Sequence, residues 1–253
     1  MTSAEWLPLA GFVLGIIAGS FIAALVIRWP KGESIARGRS RCDACGEELS
    51  AWELVPLLSF VVLRGRCRRC GAAIDRRHAV IELAAGVIGA SALFASPDAQ
   101  GALGAVFGWT LLALAALDLE HFWLPDRLTL PLLALGLGTA AALRPELAMD
   151  RLIGAAAGFA SLWFVGWGYF RLRGRRGLGG GDPKLLGAIG AWLGWQALPF
   201  VMLLASLIGM GVLLVRHLRG EVVTATTQVP LGTLMAVAAW PIWIVALDPP
   251  SFA

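Results

Sequence analysis

The sequence predicts an all-α integral membrane protein of about eight transmembrane helices, with a small polar domain inserted after the first. Three observations predict it. The 253-residue chain is 58% hydrophobic and only 15% charged, with a mean hydropathy of +0.73. Soluble domains lie nearer half apolar and a quarter charged. Several apolar runs approach or exceed the roughly 18 to 20 residues that cross a bilayer as a helix. Period-two alternation is absent, so nothing suggests a transmembrane barrel.

The first run, 6–27, is flanked by Trp6 and Trp29, placed as interfacial anchors. Residues 1–5 contain no Lys or Arg, unlike the basic start of a cleavable signal peptide. An uncleaved first span with its N-terminus outside is therefore expected. The other runs are 79–96, 102–119, 128–143, 152–170, 184–197, 199–215 and 229–247. The second run holds Glu82, and the fourth and sixth are short. The resulting partition is a first helix at 1–28, a polar domain at 29–78 and a seven-helix membrane domain at 79–253.

With eight alternating spans, one side receives the stretches 28–78, 120–127, 171–184 and 216–228, which hold 19 of the 21 basic residues. Cytoplasmic loops carry the excess of Lys and Arg, so this side is expected to be cytoplasmic. The net charge of +4 then reports topology rather than nucleic-acid binding.

Two acids stand where apolar runs meet short polar turns. Asp118 closes the run Ala113-Leu114-Ala115-Ala116-Leu117, and Asp182 follows Gly179-Gly180-Gly181. Ionisable groups at such positions are costly and mark functional candidates. The charge count places both at the same membrane face. Asp126 is the competing acid, although it follows Pro125 and also reads as a polar cap for the next span. Glu120 and His121 are expected in solvated loop. Lys184 could pair with Asp182 or a lipid phosphate, or snorkel from its span end. Gly177, Gly179, Gly180 and Gly181 would permit backbone angles closed to other residues and a close approach of peptide to main chain. A dinucleotide loop is excluded, because no strand precedes the glycines and no βαβ unit follows.

All four cysteines lie in the polar segment, as Cys42-Asp43-Ala44-Cys45 and Cys67-Arg68-Arg69-Cys70. Each two-residue spacer turns both sulfurs toward one point, and two such pairs complete a tetrahedral zinc site. The alternatives are two disulfides or four free thiols, and a cytoplasmic location disfavours the disulfides. Four thiolates leave no open position, so the zinc would be structural. Gly11, Gly15 and Gly19, Gly154 with Gly158, and Gly190 with Gly194 recur every four residues. Such spacing permits close helix packing in lipid, unless it only reflects abundant glycine.

In order, these features resemble the type IV prepilin peptidases, membrane aspartic proteases with a Gly-x-Gly-Asp motif. The resemblance runs through Gly19-Ser20-Phe21, Arg28-Trp29-Pro30, the paired cysteines, and Ile74-Asp75-Arg76-Arg77 leading to Glu82-Leu83. It continues through Asp118, Leu124-Pro125-Asp126, Leu128-Thr129-Leu130-Pro131, Gly179 to Leu185, and Gly190-Ala191-Trp192-Leu193-Gly194. It implies Asp118 and Asp182 as the catalytic pair, one taking a proton from water and the other donating to the scissile carbonyl. It implies prepilin or pseudopilin substrates of type IV pili or type II secretion, cut after a glycine at the inner face of the bacterial inner membrane. It further implies N-methylation of the new terminus from S-adenosylmethionine. Departures are Asp43-Ala44, Val55-Pro56 and Arg77-His78-Ala79 in the polar domain, with Phe122-Trp123 and Pro183 near the acids. His78 is expected to help cap the next span rather than bind metal. A proton-coupled transporter and a non-catalytic zinc scaffold are the competing classes. The first would show an internal repeat, which is not evident, and the second would leave Asp118 and Asp182 without a role.

Overall fold

The computed structural model describes residues 5–33, 41–42, 44–175, 177–224 and 227–247. The basic-free start at residues 1–4, Asp43 between the first two cysteines, and Arg176 lie outside the described residues. Long helices form wherever the sequence carries an uninterrupted apolar run. They are α1 (Leu7–Arg28), α3 (Arg76–Ala95), α4 (Ala99–His121), α5 (Asp126–Leu143), α6 (Ala148–Arg173), α7 (Asp182–Leu193), α8 (Leu198–Leu218) and α9 (Leu231–Leu247). The short α2 (Leu58–Val62) lies in the polar segment. Among the described residues there are no strands, only the isolated bridges Arg41 to Glu48 and Arg66 to Ala73. Six helices are long and apolar enough to cross a membrane. Large apolar side chains such as Ile17, Phe21, Phe164 and Leu203 are exposed on the helices, as lipid-facing surfaces require.

The chain divides into two compact units, Met1–Ala113 and Leu114–Ala253, and α4 runs through the division. In the first unit α1 lies along α3 with almost no space between backbones. A Cβ on Gly11 would strike Gly89, one on Gly15 would strike Ala85 and Gly86, and one on Gly19 would lie 2.6 Å from the Glu82 Cα. The four-residue glycine spacing therefore is a packing stripe. Trp109 Nε1 donates to the Ala85 carbonyl at 2.9 Å. α3 is capped by Asp75, whose carboxylate accepts from the Arg77 backbone N–H at 2.9 Å. Asp75 therefore does the capping expected of His78, which lies inside the helix. The Arg77 side chain, together with that N–H, holds the Asp75 carboxyl below the usual range.

In the second unit the helix at the expected sixth span is short and enclosed by its neighbours. α7 has only 12 residues, about 18 Å at 1.5 Å per residue, against roughly 30 Å of hydrocarbon. Ten of those residues are buried, because α5, α6 and α9 pack around it. Glycines again set the spacing. A Cβ on Gly158 would lie 2.5 Å from the Leu186 carbonyl oxygen, and one on Gly190 would strike Gly154. Trp192 Nε1 donates to the Leu132 carbonyl at 2.8 Å, tying α7 to α5. Gly194 ends α7 with φ 82°, a conformation that favours glycine.

Gly15→Leu is expected to lower stability by about 1–3 kcal/mol or more through overpacking. Gly168→Leu, where no heavy atom lies within 4 Å, should be tolerated. Thermal unfolding of the purified proteins in detergent checks the contrast.

Candidate active site and metal centre

The last turn of α4 carries Asp118 inward, so that only 4% of it is exposed. Its Oδ2 accepts the Thr233 backbone N–H at 2.8 Å. The Thr233 hydroxyl is shared between the Ala115 carbonyl at 2.8 Å and Asp118 Oδ2 at 3.3 Å. Thr233 lies in the first turn of α9, where backbone N–H groups have no partner within the helix and the dipole is positive. Asp118 thus serves that helix end from a distant part of the chain. Gly232 makes the approach possible, since a Cβ there would lie 2.9 Å from Asp118 Oδ2.

Asp182 is the first residue of α7 and only 7% exposed. Its Oδ2 accepts the Gly179 backbone N–H at 3.0 Å, so the glycine loop folds back over the carboxylate. These glycines are not needed for unusual backbone angles, because none of Gly177, Gly179, Gly180 and Gly181 has positive φ. Space is the reason instead. A Cβ on Gly179 would lie 2.9 Å from Asp182 Oδ2, one on Gly181 2.6 Å from Leu124, and one on Gly177 2.6 Å from the Tyr169 ring. Gly180 faces open space.

Asp118 and Asp182 line one cavity of about 760 Å³. Tyr169, Arg175 and Gln228 line it too, beside Gly179, Gly180 and Gly181. Asp126 does not line it. It begins α5 without capping it, and both its oxygens take Lys184 Nζ, at 2.6 and 2.8 Å. Lys184 therefore pairs with Asp126 rather than with Asp182. Glu120 and His121 form the exposed end of α4 rather than a loop. Sequence reasoning missed Gly232 and Thr233, whose only signal was a polar residue at the start of the last apolar run. It also passed over Arg175 as part of a basic loop.

In the first unit the four cysteine sulfurs lie within 4.8 Å of one another. The two pairs fold alike. The Cys42 N–H donates to Glu47 and the Gly46 N–H returns to Cys42, while Cys67 donates to Ala72 and Gly71 returns to Cys67. Gly46 and Gly71 take φ 73° and 70°, which reverses the chain after each pair. The Cys42 and Cys70 sulfurs are 3.9 Å apart, near the roughly 3.8 Å edge of a zinc tetrahedron with 2.3 Å bonds. Backbone hydrogen bonds from Cys70 and Arg69 bring the Cys67 thiol down to about 7. At Cys45 a backbone bond from Glu47 favours the thiolate, yet desolvation and the Cys42 and Cys70 sulfurs push it up to about 11. Four thiolates this close need a cation to coexist, and the donor set fits zinc.

A helical, multi-span protein with two buried carboxyls on one cavity and a four-thiolate knuckle pair is the class that fold and site define. Two family descriptions match the chain, "Bacterial Peptidase A24 N-terminal domain" over residues 13–95 and "Type IV leader peptidase family" over residues 105–214. A prepilin leader peptidase/N-methyltransferase of Burkholderia pseudomallei is 42% identical, covering 88% of this chain and 81% of that protein. Proteins of the same name from Stutzerimonas stutzeri and Aeromonas hydrophila are 36% and 41% identical, covering 95% and 80% of this chain and 93% and 70% of their own lengths. No solved structure matches the chain significantly. The chain belongs to the type IV leader peptidase family.

One zinc per chain is expected by elemental mass spectrometry of the purified protein. Cys67→Ser should lose most of it, since a site short of one thiolate binds far more weakly.

Proposed function

We propose that the chain is a membrane-embedded aspartic endopeptidase. It removes the leader of type IV prepilins or pseudopilins at the cytoplasmic face of the bacterial inner membrane and then N-methylates the new terminal residue. The cavity shared by Asp118 and Asp182 carries this reading. Each carboxyl uses Oδ2 for a backbone donor, Thr233 in one case and Gly179 in the other. Asp182 has no further donor beyond Gly179 among the described residues, which leaves its Oδ1 available to water and to a peptide. The ionised member takes a proton from water, and the protonated member donates to the scissile carbonyl oxygen. Two carboxyls on one cavity would hold this mixed state, because like charges brought together in a buried site do not both persist.

Several features support the substrate. The glycine loop leaves main chain open beside Asp182, with nothing within 4 Å of a Cβ on Gly180, which suits an extended peptide. The similar proteins are named for prepilin leaders and N-methylation. The basic residues, gathered on one side of the spans, support a cytoplasmic active face. Residues 29–78 form the zinc domain in this reading and 79–253 the peptidase domain. Cys42, Cys45, Cys67 and Cys70 would hold a structural zinc with no open position, and S-adenosylmethionine would supply the methyl group.

Asp118→Asn and Asp182→Asn should each lower cleavage of a co-expressed prepilin by roughly 100- to 10,000-fold or more, while both proteins stay in the membrane. Asp126→Asn should retain cleavage. Immunoblots of precursor and processed pilin measure all three, and normal processing by either of the first two would sink the assignment. Thr233→Val keeps the backbone donor and loses the hydroxyl. It should slow cleavage by about 5- to 10-fold, the worth of one hydrogen bond of about 1 kcal/mol, seen in kcat rather than KM.

A further inference from the structure

The first unit contains a second cavity, of about 370 Å³, within the size range of small-molecule sites. Its deepest acid, Glu82, is only 6% exposed and takes no part in peptide cleavage as derived above. Glu82 Oε2 accepts the Leu57 backbone N–H at 2.8 Å. Oε1 has no partner among the described residues, and Glu82 is one of the groups lining the cavity.

The backbone that Glu82 holds is strained. Leu57 has φ 59° and ψ −48°, and the Leu58 N–H reaches back to the Pro56 carbonyl at 2.6 Å. This is a tight γ-turn of the rare, positive-φ kind. A bulky residue stays in that region only when its surroundings impose it, and such strain gathers at functional sites.

The other acids of the cavity are less buried. Asp75 caps α3 and binds Arg77 with both oxygens. Glu53 serves Ser50 through Oε2, accepting its N–H at 2.9 Å and its hydroxyl at 2.5 Å. Glu82 is the acid whose second oxygen lies in the desolvated part of the cavity, where a cationic guest gains most from it, and Arg28, Arg41 and Arg68 on the same walls suit a guest's carboxylate.

We propose that Glu82 binds the α-ammonium group of the cleaved peptide and accepts its proton, in a cavity that also takes a sulfonium methyl donor. This rests on the methylation reading above. An α-ammonium has no lone pair and cannot attack a methyl group. Glu82 removes one N–H proton, and the freed lone pair forms the new N–C bond. The C–S bond breaks with its electron pair going to sulfur, so the sulfonium leaves as a neutral thioether. The product is a secondary ammonium, and Glu82 returns its proton to water.

The test is Glu82→Gln in the full-length enzyme purified in detergent, given a synthetic prepilin peptide and S-adenosylmethionine. Glutamine keeps an oxygen for the Leu57 N–H but cannot take a proton. Mass spectrometry of the product reads cleavage and methylation separately. The expected result is wild-type zinc content, cleavage and donor binding by calorimetry, with methylation at least about 100-fold slower. Methylation by this variant at the wild-type rate would overturn the role of Glu82 and leave the methylation reading standing. Loss of zinc or of donor binding would overturn it too, by making Glu82 a structural group. A wild-type product that is cleaved but never methylated would remove the methylation reading itself, and this proposal with it.

Discussion

Burying two acids against one cavity is the constraint on which the second unit depends. An isolated carboxylate taken out of water is very costly unless donors replace its hydration. Asp118 and Asp182 each receive a backbone N–H from a helix start or from the loop before one. Those donors are fixed before any substrate arrives. The arrangement explains why α9 begins where it does, and why glycine stands at 179 and 232, where a Cβ would lie 2.9 Å from a carboxylate oxygen.

The same constraint accounts for α7. A helix with Asp182 at its first residue and ten buried residues out of twelve is held by protein on its sides rather than by lipid. Close packing through Gly154, Gly158 and Gly190 then substitutes for a hydrophobic drive that is weak between helices in a membrane. The Asp126 to Lys184 pair joins the starts of α5 and α7 beside the acids without occupying their cavity. It gives Lys184, which the sequence left between two partners and a snorkelling end, a definite partner.

Much of this was legible from composition and spacing. The apolar runs located all the long helices, because an uninterrupted run of that length leaves the backbone no other way to satisfy its hydrogen bonds in lipid. The paired cysteines located the four-sulfur cluster, because their spacing carries its geometry. The glycine stripe of α1 was visible as a pattern but ambiguous until α3 was seen against it. What could not be read depends on contacts between distant segments. Thr233 lies 115 residues from Asp118, and Glu82 looked like a flaw in a span until its bond to Leu57 appeared. The unusual backbone angles expected at Gly177, Gly179, Gly180 and Gly181 do not include positive φ. Positive φ occurs instead at Leu57, where nothing in the residue type announces it.

The central claim is that Asp118 and Asp182 act as one catalytic unit, and the most direct measurement is the residual cleavage rate of the double variant D118N/D182N against each single one. Groups that act together fail together. The account predicts a double variant no slower than the slower single variant. Rate losses that multiply, with the double variant falling well below both singles, would mean two independent contributions and would contradict it.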